Sequence, residues 1–120
     1  MKFKESRPIY LQIADRICDE IRQGIYPEDG RIPSVREYSA TVEVNANTVV
    51  RTYDYLQSRE IIFTRRGLGY FVCPGAGEKI SSLRRTTFME VELPEFFKQL
   101  RALAIPIEEI VRMYGEYGKE

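Results

Sequence analysis

Two helix-start signals stand close together in the middle of this chain, and they leave it little freedom in how to fold. Ser34-Val-Arg-Glu37 is a capping box: the Ser34 hydroxyl can accept from the Glu37 amide while the Glu37 carboxylate reaches back to the Ser34 amide. Pro33, just before it, holds Ile32 in an extended conformation. Asn45 is the second signal, able to satisfy the free amide of Asn47 or Thr48. The helix between the two signals must be short, about Val35 to Val42. A turn at Val42-Glu-Val44 then hands the chain to another helix, which runs to about Glu60. After that the pattern turns β-rich. Ile61-Ile-Phe-Thr64 and Tyr70-Phe-Val-Cys73 flank Arg65-Arg-Gly-Leu-Gly69, which predicts a hairpin with a basic tip whose glycines permit a tight turn.

Upstream, a helix is expected from about Pro8 to Gln23, with Ser6 and Pro8 as start signals and Gly24 as the stop. Ile9, Ile13, Ile17 and Ile21 recur every four residues, and Tyr10, Ala14 and Cys18 widen that stripe into a packing face. Tyr26-Pro-Glu-Asp-Gly30 is a turn cluster. Three helices followed by a hairpin make a winged helix-turn-helix. The helix after Asn45 has two unlike sides. Val49, Tyr53 and Leu56 form a core side, and Asn47, Thr48 and Arg51 a polar one. Asn, Thr and Arg side chains hydrogen-bond base edges and phosphates, so this polar side is the candidate DNA-reading face.

Pro74-Gly-Ala-Gly77 reads as a linker, and beyond it lie three helical segments: about Glu78 to Val91, Pro94 to Leu103 and Pro106 to Tyr117. Pro94 and Pro106 suit first-turn positions. The fold expected is α+β and mostly helical: a DNA-binding domain over residues 1–74 and a short all-helical tail over 75–120. About 45 residues of amphipathic helix cannot close a core of their own, so the tail needs a partner. A second copy of the chain is the simplest, with Ile80, Leu83, Phe88, Phe96, Leu100, Leu103, Ile107, Ile110 and Tyr114 as the candidate dimerisation surface. Phe88, Phe96, Phe97 and Tyr114 could also wall a small apolar ligand, although dimer core is the favoured reading for them.

Other function classes find no support. There is no His, no Cys/His metal cluster, no nucleophile elbow and no phosphate-binding glycine loop, so no catalytic, metal or cofactor site is expected. No apolar run is long enough to cross a membrane and the N-terminus lacks an apolar signal region, so a cytoplasmic protein is expected. Cys18 and Cys73 sit in apolar patterns and read as small buried hydrophobes. Net charge is zero, but residues 31–73 carry six Arg against four acids, while both flanks are slightly acidic. That distribution predicts modest nonspecific DNA binding and a need for two copies to reach useful affinity.

Taken together, Ile32-Pro-Ser-Val-Arg-Glu37, Val44-Asn-Ala-Asn-Thr-Val49, Arg51-Thr-Tyr53, Leu56, Ile61-Ile62 and Thr64-Arg-Arg-Gly-Leu-Gly-Tyr-Phe-Val72 resemble the DNA-binding domain of the GntR family of bacterial transcription regulators, over about residues 7–74. The run Asn45-Ala-Asn-Thr-Val49 followed by Arg51-Thr-Tyr53 is most similar to the YtrA-like subgroup, in which a short helical tail serves dimerisation. The resemblance implies a homodimeric repressor on an inverted-repeat DNA operator. Ser34 and Arg36 would lie at the DNA, Arg36 reaching a guanine edge, while Asn45, Asn47 and Thr48 contact bases and phosphates. Arg51 would reach the backbone or brace the helix, and Arg65, Arg66, Gly67 and Gly69 would form the wing. Two positions depart from the family pattern: Ala46 stands where Arg or Pro is usual, and Leu68 where a basic wing residue is usual. Zero net charge and Leu68 also suit an alternative, a winged-helix protein-interaction module that does not read DNA. Any effector is left open.

Overall fold

The computed structural model describes residues 7–119, so the Ser6 start signal lies outside the described residues. The chain divides into two compact units, one ending at Ser82 and one beginning at Leu83.

In the first unit, α1 (Ile9–Arg22) turns Ile13, Ile17 and Ile21 into the core together with Ala14 and Cys18. Ile9, expected on that stripe, is instead 44% exposed at the first residue of the helix. Gly24 at φ +82 closes the helix, and the Ile25 amide donates back to the Glu20 carbonyl at 2.9 Å. Helix α2 (Val35–Val42) begins at the capping box as expected: the Glu37 amide donates to Ser34 Oγ at 3.1 Å and the Ser34 amide to Glu37 Oε1 at 3.0 Å. It ends on Glu43, which takes the left-handed conformation (φ 58, ψ 47) without help from a glycine. Helix α3 (Ala46–Ser58) is capped by Asn45, whose Oδ1 accepts from the Asn47 amide at 2.8 Å. Val49, Tyr53 and Leu56 are fully buried, as their spacing requires.

Strands β1 (Ile62–Arg65) and β2 (Gly69–Val72) pair antiparallel, with Ile62 opposite Val72 and Arg65 opposite Gly69. The extended piece before α2 does more than connect. Arg31 bridges to Phe71, the Ile32 amide donates to the Tyr70 carbonyl and the Val72 amide to the Gly30 carbonyl. The wing is thereby tied along its β2 edge to the segment that leads into the helix-turn-helix.

The expected linker is largely absent. Helix α4 (Ala76–Thr87) starts one residue after Gly75, which turns at φ +76. The Gly75 amide donates to Glu28 Oε1 at 2.7 Å, Lys79 pairs with Glu60 at 3.6 Å, and Ala76 and Ile80 are fully buried. The first unit thus extends past the boundary expected at residue 74, and Ile80 is core rather than a free surface for a partner.

In the second unit, Pro94 does not open a separate helix. Helix α4 passes through a π-helical turn at Phe88–Glu92 into α5 (Leu93–Ala102), with the Leu93 amide donating to the Phe88 carbonyl. Pro94 cannot donate and its ring crowds the carbonyl four residues back; the wider π turn accommodates both effects. Ala104, left-handed at φ 55, ends α5, and α6 (Ile107–Glu116) follows Pro106. Among the described residues of this unit only Leu100 is buried. Phe88, Val91, Leu103, Val111 and Tyr114 are all at least half exposed.

Candidate nucleic-acid interface

Three local devices set the geometry of the helix-turn-helix. The capping box places Arg36, which is exposed, in the first turn of α2. Backbone donation from Ser34 holds the Glu37 carboxyl below the usual carboxylate range, so the box stays closed at neutral pH. Two buried tyrosines then tie α2 to its surroundings. Tyr38 Oη donates to Glu20 Oε1 at 2.6 Å, and Tyr53 Oη donates to the Pro33 carbonyl at 2.6 Å. Burial pushes both phenols well above the ordinary tyrosine range, so they remain donors. Their rings continue to Tyr70 of β2, with 6.4 Å between the Tyr38 and Tyr53 centroids and 4.8 Å between Tyr53 and Tyr70.

Helix α3 presents Ala46, Asn47, Val50, Arg51 and Asp54 to solvent. Asn47 keeps its side chain free of the cap, because only its backbone amide is used there. Thr48 is half-buried and lines a shallow groove of about 350 Å³ with Pro8, Ile9, Tyr10, Asn47 and Arg51. The Arg51 guanidinium sits 4.2 Å above the Tyr10 ring. Tyr10 in turn meets Tyr55 edge-on at 6.2 Å, and Arg59 covers Tyr55 at 5.4 Å. One residue along from Arg51, fully buried Thr52 donates through Oγ1 to the Tyr10 carbonyl at 2.8 Å and the Thr48 carbonyl at 3.1 Å. The contact of Arg51 in the folded chain is thus with α1, through the Tyr10 ring.

Ser34 and Asn45, expected at the DNA, use their side-chain oxygens as caps. What Asn45 can still offer a base or phosphate is its Nδ2 donor. The wing residues also divide. Arg65 folds back over Phe71 at 4.8 Å and Phe63 at 5.3 Å, across a cross-strand pair 5.9 Å apart. Arg66 projects from the tip, where Gly67 turns at φ +78. Gly69, at φ +114, lies over Arg31: a Cβ there would come 3.1 Å from Arg31 Nε. Tyr10, Arg31 and Val50 are the additions that sequence patterning did not single out for this surface. Tyr10 and Arg31 act through partners distant in sequence, and Val50 is masked by its polar neighbours.

In the tail, Pro94, Phe97, Leu100, Ile105 and Ile107, rimmed by Lys98 and Arg101, line an open groove of about 610 Å³. Phe96 and Tyr114 line a second of about 370 Å³ with Ile110, Met113 and Tyr117. Phe97 therefore lines one groove and Phe96 with Tyr114 the other. Cys18 is buried in the core, and burial raises the pKa of the Cys73 thiol. No described helix is long and apolar enough to cross a membrane, and no group of three potential metal ligands occurs among the described residues.

The sequence profile of the bacterial regulatory proteins of the gntR family matches residues 9–72. An uncharacterized HTH-type transcriptional regulator of Bacillus subtilis, YhcF, is 40% identical over 92% of this chain and 89% of its own length. The HTH-type transcriptional repressor YtrA of the same organism is 32% identical over 85% of this chain and 72% of its own length. A crystal structure of a GntR-family regulator from Bacteroides thetaiotaomicron superposes with a TM-score of 0.78. It is 56% identical and covers 92% of this chain and 96% of that one.

Proposed function

The chain belongs to the gntR family of bacterial regulatory proteins and is a DNA-binding transcription regulator; from that premise we propose that it works as a homodimeric repressor on an inverted-repeat operator. The observation that carries the DNA-reading part is the two-sided α3: a fully buried Val49, Tyr53 and Leu56 behind, and an exposed Asn47 with a braced Arg51 in front. In this reading α3 enters the major groove, where Asn47 pairs with an adenine edge and Thr48 touches the adjacent backbone. Arg36 takes a guanine from the first turn of α2. Arg51 supplies a fixed positive charge, and Arg66 with Gly67 reaches the flanking minor groove or its phosphates. Ser34 and Asn45 serve mainly as caps, and Arg65 mainly stiffens the wing.

The homodimer rests on the second unit, whose apolar side chains are mostly exposed: Val111 at 63%, Leu103 at 69% and Tyr114 at 82%. An apolar surface of this kind is covered in a stable protein. A second copy covers it isologously, so that two wings and two reading helices meet half-sites about 34 Å apart. The assignment as a repressor follows the likeness to YtrA, which is named as one.

Selection from random duplex DNA, read at two salt concentrations, tests the reading. Enrichment of an inverted repeat whose binding weakens steeply with salt is the expected result. No enrichment at low salt would overturn it. Sedimentation of the full chain checks the dimer: Val111→Glu with Tyr114→Glu should turn a dimer into a monomer.

A further inference from the structure

The exposed side of α3 carries one group that neither the fold nor the polar contacts account for. Val50 is 42% exposed in the middle of the helix, while its neighbour Val49 is fully buried. It stands one turn after exposed Ala46, and Asn47 lies three residues before it on the same side. These three residues form a small patch of two apolar side chains beside one carboxamide. The arrangement matches the A·T pair in the major groove, where adenine offers its N6 donor and N7 acceptor to Asn, and thymine offers a C5-methyl group that only an apolar side chain can match.

We propose that Val50, with Ala46, is a specificity-determining residue that reads thymine methyl groups next to the adenine read by Asn47. Because Val is branched at Cβ, one χ1 rotamer dominates in a helix, so its methyl groups are held in place before DNA arrives. The Tyr10–Arg51 stack steadies the helix turn that carries Val50. Neither Ala46 nor Val50 can donate to guanine, so readout on this side of α3 is biased to A·T pairs, and guanine recognition is left to Arg36. The inference depends on α3 reading DNA as described above.

The test uses the full chain and the duplex it selects. Each thymine of the selected half-site is replaced in turn by deoxyuridine, which removes only the C5-methyl. Binding is measured for the wild type and for Val50→Ala. The substitution lies on an exposed helix position where Ala is the better helix former, so the fold is retained, and an unchanged melting temperature verifies this. For the wild type, one or more deoxyuridines should weaken binding about fourfold, from about 0.8 kcal/mol for one methyl-sized group and 1.4 kcal/mol per tenfold. Val50→Ala should lose most of that penalty at the same position and accept cytosine there more readily. If every deoxyuridine is neutral, or if the penalty is unchanged in Val50→Ala, the inference is overturned while the operator reading survives. If selection enriches no sequence, both fall together.

Discussion

Replacing Tyr53 by Phe should cost this protein much more than one lost oxygen atom suggests. Tyr53 is fully buried, and its hydroxyl donates to the Pro33 carbonyl at 2.6 Å, immediately before the cap of α2. Its ring packs edge-on against Tyr70 at 4.8 Å. Phe keeps that ring contact and nearly the same volume, so no cavity term arises. What changes is the Pro33 carbonyl, which loses its donor in a part-buried place. Leaving a buried acceptor unmatched costs about 1–3 kcal/mol. For a unit of this size each kcal/mol lowers the melting temperature by roughly 4–8 °C. Thermal unfolding at pH 7 should therefore show a drop of about 4–24 °C with cooperativity intact. The pH dependence adds a second signature. Burial raises the Tyr53 pKa above its unfolded value of about 10. The wild type thus holds this stabilisation in full below pH ~10 and loses it as the pH rises further, whereas Tyr53→Phe lacks that alkaline loss. A drop below about 0.5 kcal/mol would refute the reasoning, since it would mean that water reaches the carbonyl. A drop above about 4 kcal/mol would refute it from the other side, by placing the energy in packing.

The two wing arginines should separate cleanly. Arg66→Ala should lower the salt dependence of DNA binding, by about 0.9 in logarithmic slope for each phosphate left unneutralised, and leave the melting temperature alone. Arg65→Ala should loosen the hairpin, which amide exchange in β1 and β2 would detect. Gly69→Ala should cost about 1–3 kcal/mol, through its φ of +114 and the approach of its Cβ to Arg31. Gly67→Ala, with open space around it, should cost less, and urea unfolding ranks the two. Because its pKa is depressed, Glu37 helps α2 above the usual carboxylate pKa, and that help disappears as the pH falls through its lowered value. Glu37→Gln should accordingly remove part of the acid sensitivity of the first unit, as followed by a pH titration of its helical signal.

The sequence disclosed the parts of this fold whose causes lie within a few residues. Ser34 and Glu37 cap one another three positions apart, Asn45 caps two positions on, and both signals appear where expected. The turns are harder to read, because Glu43 and Glu60 take left-handed conformations that a glycine would have advertised. The end of the first unit falls later than patterning suggests, because the burial of Ile80 and the anchoring of Gly75 by Glu28 join residues remote in sequence. Pro94 suggests a break, and a π turn bridges it instead. On the candidate DNA-reading face, residue type singles out Asn47 and Arg51, but only the folded chain reveals that Arg51 rests on Tyr10 and that Arg65 leans on Phe63 and Phe71.

The stack of Arg51 on Tyr10 bears on how far binding specificity can be transplanted. Helix α3 invites treatment as a cassette, with residues 46–58 exchanged between relatives to redirect a regulator to a new promoter. Yet the guanidinium on this cassette is immobilised by a side chain of α1, and Thr52 reaches the carbonyl of the same tyrosine. On the proposed reading, a chimera that carries α3 alone onto a scaffold with a small residue in place of Tyr10 would inherit the reading face with its arginine charge unanchored. Grafts that move position 10 together with α3 should therefore retain the donor's operator preference better than grafts of the helix by itself.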